Sequence, residues 1–159
     1  VQQHDASPGG GIDQLVQPGA TVLAIDLPGV GQTRSASDSK DVYTAYLLGR
    51  SYVGLRAENI LICARYIQEL SNDKDGTDLV AVGHVGIPAL HAAAVASDLF
   101  QSVKLQRTLK SWSSVIHKPL TAVPQSQVVH GALRTYDLPD LALSLGSKLS
   151  IEQPAEGTP

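Results

Sequence analysis

The stretch that decides the fold is DLVAVGHVGIPALHAAAVAS, residues 78–97. Asp78 to Val82, continued at Val85, is a short apolar run rich in valine, which is typical of a buried strand. Pro88 to Ser97 follows at once as an alanine-rich helix, and Pro88 stands near its first turn, where a missing N–H costs nothing. Strands that alternate with helices in this way form crossover units, so the stretch predicts a parallel sheet.

Three further runs predict strands of the same sheet: Ala20 to Asp26, Val103 to Leu109 and Leu149 to Glu152. Four strands predict an α/β fold, namely a small three-layer parallel sheet with helices on both faces. Binding sites in such sheets lie beyond the carboxyl ends of the strands. We therefore expect functional side chains at the strand ends, which carry Asp26, His84, Ser111 with Trp112, and Glu152.

Helical periodicity is clearest between Asp41 and Leu70. Ile60, Cys63, Ala64 and Ile67 follow the spacing of one apolar helix face. Because Gly49 and Gly54 weaken the first part, we expect two helical pieces or a kink there. Shorter helical pieces are predicted at Ile12 to Val16, Val115 to Leu120 and Val128 to Leu145.

The length of 159 residues suggests one domain. We place a single α/β domain at residues 20–153, after a glycine-rich, flexible lead-in over 1–19 and before a frayed tail over 154–159. The chain holds no methionine, so it is expected to be a processed product, a fragment or a frame with a different start.

Composition excludes several classes of function. The net charge is −3, so no nucleic-acid footprint is visible. No apolar run approaches 18 residues, and the first residues are polar, so neither a membrane span nor a signal peptide is expected. The single cysteine, Cys63, excludes an internal disulfide and a cysteine-based zinc site. The sequence predicts a soluble globular domain and indicates no compartment.

Three motifs, in this order, resemble the α/β-hydrolase superfamily on its dienelactone-hydrolase and acetyl-xylan-esterase side. DLPGVGQT at 26–33 is similar to the family's strand-end Asp-x-x-Gly-x-Gly-x-Ser/Thr, LGRSYVGLRAE at 48–58 to its long helix, and VAVGHVGIPAL at 80–90 occupies the place of its nucleophile elbow. The resemblance covers about residues 20–153. It implies a truncated hydrolase core that acts on small carboxylic esters or lactones.

The elbow departs from the family pattern in one decisive way. The pattern is Gly-x-Ser-x-Gly, but Val85 stands at the serine position and Ile87 at the second glycine. Valine carries no group that can attack a carbonyl, so a serine triad centred here is excluded.

Other residues could supply the missing chemistry. His84 adjoins the elbow and suits acid–base work, or it is a polar turn residue. Ser113 and His117 are spaced i and i+4, as a nucleophile and base would be on a helix, whereas serines at a strand end also serve as turn or cap residues. His130 and Asp137 could form a base and its orienting carboxylate, but Asp137 followed by Leu-Pro also matches a helix cap, which we favour.

A polar turn between helix and strand carries three carboxylates. The spacing of Asp73, Asp75 and Asp78 is similar to a calcium loop but departs from the EF-hand positions, so the turn is either a Ca²⁺ site or a solvated connection. A nucleotide cofactor is not expected, because DLPG at 26–29 occurs without a phosphate-binding Gly-x-x-x-x-Gly-Lys-Ser/Thr loop.

Two hypotheses follow from the sequence. The first is a hydrolase of esters or lactones, acyl-homoserine lactones included, in which water is activated by His84 or by a bound cation. The second is an inactive hydrolase-like scaffold or partner domain, whose exposed sheet edges favour self-association. Neither nucleic acid nor membrane is expected as a partner.

Overall fold

The computed structural model describes residues 10–16, 18–34, 38–71, 76–117 and 123–153. Helices and strands alternate along most of this length, as the sequence predicts. The elements are α1 (Gly11–Val16), α2 (Asp38–Leu47), α3 (Tyr52–Ser71), β1 (Thr77–Val82), α4 (Gly86–Val95), β2 (Phe100–Gln106), α5 (Trp112–Ile116), α6 (Leu138–Leu145) and β3 (Leu149–Glu152).

The sheet of the described residues has three parallel strands in the order β1-β2-β3. Leu79 pairs with Val103, which pairs with Leu149, so these side chains point to the same face. That face carries the core, because Ala81, Val103 and Leu105 are buried. The predicted α/β class with a parallel sheet is confirmed.

The predicted three-layer arrangement, with helices on both faces of the sheet, is not confirmed by the part of the chain that is described. Strand order runs in one direction, and right-handed crossovers then place successive helices on the same face. Helix α4 lies at the centre of that layer and packs against α3, α6, β1 and β2. The opposite face is open, with Val80 46% and Val82 39% exposed.

Polar side chains on the open face bond to one another across the strands. Ser102 Oγ donates to Asp78 at 2.5 Å, Gln106 donates to Glu152 at 2.9 Å, and Lys104 pairs with Glu152 at 2.7 Å. The bonds from Lys104 and Gln106 lower the pKa of the Glu152 carboxyl. These contacts let a parallel sheet present one face to water, which such sheets rarely do.

The predicted strand over Ala20–Asp26 is not confirmed. These residues have no regular secondary structure and no backbone hydrogen bond to another described residue. Ile25 and Leu27 still pack on the core. The strand predicted at Val103–Leu109 is β2, which begins earlier and ends at Gln106 because Arg107 adopts a positive φ of 51°.

The division of the long helical region into two helices is confirmed, and it falls at Gly49, whereas Gly54 lies within α3. Gly49 ends α2 in the left-handed region with φ of 72°, and Arg50 N–H donates to Ala45 O at 2.9 Å. Ser51 then caps α3 by accepting the Gly54 N–H at 2.9 Å. Of the helices in the described ranges, none is long and apolar enough to cross a membrane.

A close approach fixes the start of α4 against the end of β2. A Cβ at Gly86 would lie 1.9 Å from Oγ1 of the buried Thr108. Only glycine therefore fits at the first position of this helix. The contact sets the distance between helix and sheet at the end where functional residues are expected.

Candidate functional site

The stretch in which the sequence predicts an elbow is a turn between a strand and a helix, and Val85, at the serine position, has ordinary helical backbone angles (φ −81°, ψ −6°). Strand β1 ends at Val82, a short 3₁₀ turn spans Gly83–Val85, and α4 begins at Gly86. Gly83 has φ of 68°, which a side chain would disfavour. Val85 packs against the core. The turn therefore places an apolar side chain where the resembled family has its serine.

His84 is the exposed polar group of this turn, and a buried amide holds its ring. Nε2 of Gln127 hydrogen-bonds to His84 Nδ1, and Gln127 is only 5% exposed. With the amide in this orientation its N–H donates and His84 Nδ1 accepts, which corresponds to the tautomer with the proton on Nε2. In that tautomer His84 offers an N–H donor at the end of β1.

Gln127 is itself fixed by the backbone around it. Its carbonyl oxygen accepts the Nε1–H of Trp112 at 3.0 Å, and its N–H donates to Pro124 O at 2.9 Å. The neighbouring Gln125 reaches Tyr43 of α2 at 3.3 Å. The segment 125–127 thus joins α2, the indole of α5 and the His84 ring at one end of the sheet.

Asp137 is a helix cap that serves two helices. It begins α6 by accepting the Leu138 N–H at 2.7 Å, and it accepts Ser111 Oγ at 2.6 Å. It also accepts the N–H groups of Trp112 at 2.8 Å and Ser113 at 3.2 Å, in the first turn of α5. Partial burial opposes ionisation of this carboxyl, but the hydrogen bonds outweigh it and lower its pKa to about 2. All this supports the cap interpretation.

The serine and histidine candidates of this region are not brought together. The N–H of Ser113 donates to Asp137, and the imidazole of His117, exposed at the end of α5, makes no hydrogen bond to a described residue. His130 packs edge-on against Tyr46, with ring centroids 5.4 Å apart, and not against Asp137. The i, i+4 spacing of Ser113 and His117 exists, but the pair forms no hydrogen-bonded dyad.

His91 was not singled out from the sequence. Its Nδ1 lies 2.8 Å from Ile87 O and its Nε2 lies 2.9 Å from Tyr136 Oη, while its ring centroid is 5.7 Å from that of Trp112. Burial lowers the pKa of His91. The contact with the carbonyl of Ile87, four positions earlier on the same helix, could have been predicted from the sequence. The contact with Tyr136 could not, because Tyr136 lies 45 positions away along the chain. This histidine joins α4 to the segment before α6.

Asp26 lies on a separate groove of about 630 Å³, a volume suited to a small ligand. It accepts the Gln32 N–H at 3.0 Å, and the loop closes so tightly over it that a Cβ at Gly31 would lie 2.3 Å from its carboxylate. The buried Arg56 holds this loop through an Nε–H bond to Pro28 O at 2.8 Å. The groove is lined by Ile25, Asp26, Leu27, Pro28, Gly29, Thr33, Asp41, Tyr52, Asn59 and Cys63.

The predicted calcium site falls mostly outside the described residues, because Asp73 and Asp75 lie there. Asp78 is described, and it accepts the Ser102 hydroxyl on the open sheet face. Within the described ranges, no group of three histidine, cysteine, aspartate or glutamate residues could hold a metal. The calcium site stays a prediction.

Comparison with known proteins adds no assignment. No protein-family model matches this chain, and neither a curated protein nor a solved structure is detectably similar to it.

Proposed function

We propose that this chain is an α/β-hydrolase-like domain that binds small carboxylic esters or lactones, acyl-homoserine lactones among the candidates, and hydrolyses them with water as the nucleophile. One observation supports this most: His84 is exposed at the strand-to-helix turn, and the buried Gln127 amide fixes its ring. The motifs at 26–33, 48–58 and 80–90 support the same superfamily.

In this proposal His84 acts on the carbonyl group of the substrate. Its Nε2–H donates to the carbonyl oxygen as water adds to the carbonyl carbon, and it stabilises the negative charge that develops on that oxygen. Collapse of the tetrahedral species breaks the bond to the alkoxy group. The proton of the added water passes through solvent to the leaving oxygen, which gives an acid and an alcohol.

Water is proposed because the serines near this end of the sheet have other roles. Val85 replaces the elbow serine, and the Ser111 hydroxyl donates to Asp137. A cation on the turn of Asp73, Asp75 and Asp78 could supply further activation of water, as the sequence suggests. That part of the proposal is separable from His84 and is tested by chelation.

The test is turnover of a panel of acyl esters and lactones by the purified chain, with Ca²⁺, with EDTA and with a serine-directed inhibitor. We expect turnover that survives the inhibitor. Loss in EDTA would assign a role to a cation. Loss to the inhibitor would contradict the water mechanism and direct attention to Ser111, Ser113 or Ser114.

A second candidate function is a non-catalytic scaffold or partner domain. The observation that favours it is Val85, which leaves the turn between β1 and α4 without a nucleophile. Absence of turnover over the whole panel, in a chain shown by circular dichroism to be folded, would support this candidate and refute the hydrolase.

A further inference from the structure

The two edges of the described sheet are protected very differently. Strand β3 is only four residues long, follows Lys148 and ends in Glu152, and short charged strands resist pairing with other chains. Strand β1 has six residues, and from Leu79 to Val82 it carries no charge and no proline. This strand has the features of an edge that pairs.

The outer edge of β1 is free for pairing as far as the described residues show. Its ladder partner is β2 on one side only, and no other described backbone group bonds to it. Val80 and Val82 are partly exposed on the open face, next to this edge. An unpaired, apolar, β-branched edge is a template for another strand.

We propose that β1 pairs antiparallel with β1 of a second copy of this chain, which joins two three-stranded sheets into one of six strands. The ladder with β2 is irregular between Thr77 and Asp78, so the regular part of β1 is 78–82, and its midpoint is Val80. The two-fold axis then passes at Val80, so Val80 of one copy lies directly opposite Val80 of the other.

This register is compatible with the side chains. Leu79 lies opposite Ala81 of the second copy, and Asp78 lies opposite Val82, so no like charges meet. A shift by one residue would place core-facing side chains opposite open-face ones, which the buried face forbids. A second copy is therefore a partner whose sequence fits the edge, and such isologous pairing closes as a dimer.

Two matched lysine variants test the pairing by sedimentation velocity. Val80→Lys places two ammonium groups beside each other on the axis, and we expect it to raise the dimer dissociation constant about tenfold or more. Val82→Lys places its ammonium opposite Asp78 of the second copy, so the dimer is retained. Both valines are partly exposed, so neither variant has to bury a charge in the monomer.

Cysteine cross-linking gives a second readout that does not depend on affinity. In a Cys63→Ser background, Val80→Cys is expected to form a disulfide-linked dimer on mild oxidation, because it faces itself across the axis. Val82→Cys faces Asp78 and is expected to remain reduced. Two results would overturn the proposal. One is a wild-type chain that stays monomeric at about 10⁻⁴ M, a concentration at which weak homodimers assemble. The other is equal behaviour of the two lysine variants or of the two cysteine variants.

Discussion

Replacing Asp137 with asparagine removes a charge that joins two helix starts. The carboxylate accepts the Leu138 N–H of α6, the Ser111 hydroxyl, and the Trp112 and Ser113 N–H groups of α5. Asparagine keeps the shape, but its NH₂ group cannot accept a bond from these donors. At least one N–H or hydroxyl group therefore loses its acceptor.

The magnitude follows from the lowered pKa. A fall from 3.8 to about 2 corresponds to an upper bound of roughly 2.5 kcal/mol at about 1.4 kcal/mol per pKa unit. Asp137 is only partly buried, so solvent screening reduces this, and we expect Asp137→Asn to lower the free energy of unfolding by about 1–1.5 kcal/mol at neutral pH. Loss of a helix cap costs a similar amount.

The assay is urea unfolding followed by the fluorescence of Trp112, which is the single tryptophan and is buried. Because the folded pKa is depressed, the stabilisation is present above the unfolded value of 3.8 and is lost as pH falls toward about 2. The difference between wild type and Asp137→Asn should therefore be largest above about pH 5 and shrink steadily below pH 4.

The matched control is Asp98→Asn, since Asp98 is exposed and bonds to none of the described residues. It should change the free energy of unfolding by less than about 0.5 kcal/mol. If Asp137→Asn leaves the free energy of unfolding unchanged at neutral pH, or lowers it equally at every pH, the cap interpretation is refuted and a catalytic role for Asp137 is reopened.

Three further predictions follow from buried contacts. Gly86→Ala should cost about 1–3 kcal/mol in urea unfolding, because its Cβ would clash with the buried Thr108; wild-type stability would contradict the contact. Arg56→Lys should cost about 1.5–3 kcal/mol, since lysine cannot replace the Nε–H bond to Pro28 O; an unchanged melting temperature would contradict this. Burial lowers the pKa of His91, so its contribution to stability is full above about pH 6.5 and declines as pH falls toward the lowered pKa; an ordinary pKa in an NMR titration would contradict this.

Local signals in the sequence predicted much of the fold. The valine-rich run before Pro88 predicted β1 and α4, the glycines predicted the break between α2 and α3, and Asp137 before Leu-Pro predicted the start of α6. These features depend on neighbours within a few positions. Features that depend on neighbouring residues, such as the left-handed φ of Gly49 that ends a helix, can therefore be predicted from the sequence.

Non-local pairing was not predictable in the same way. Ala20–Asp26 has a strand-like sequence, but a strand needs a neighbour, and the described residues provide none. The number of layers depends on strand order, which local patterns do not contain. His84 was predicted as a candidate, but Gln127, which fixes its ring, lies 43 positions away. The contact between His84 and Gln127 therefore emerges only from the structure.

The most direct test of the proposed site compares kcat/KM of the wild-type chain, His84→Ala and His117→Ala on the best ester or lactone of the panel. Removing a donor to the developing oxyanion typically costs about 10²–10³-fold. We expect a loss of about that size for His84→Ala and wild-type values for His117→Ala, whose imidazole is exposed at the end of α5. Unchanged activity in His84→Ala would contradict the account, and loss in His117→Ala instead would transfer the chemistry to the end of α5.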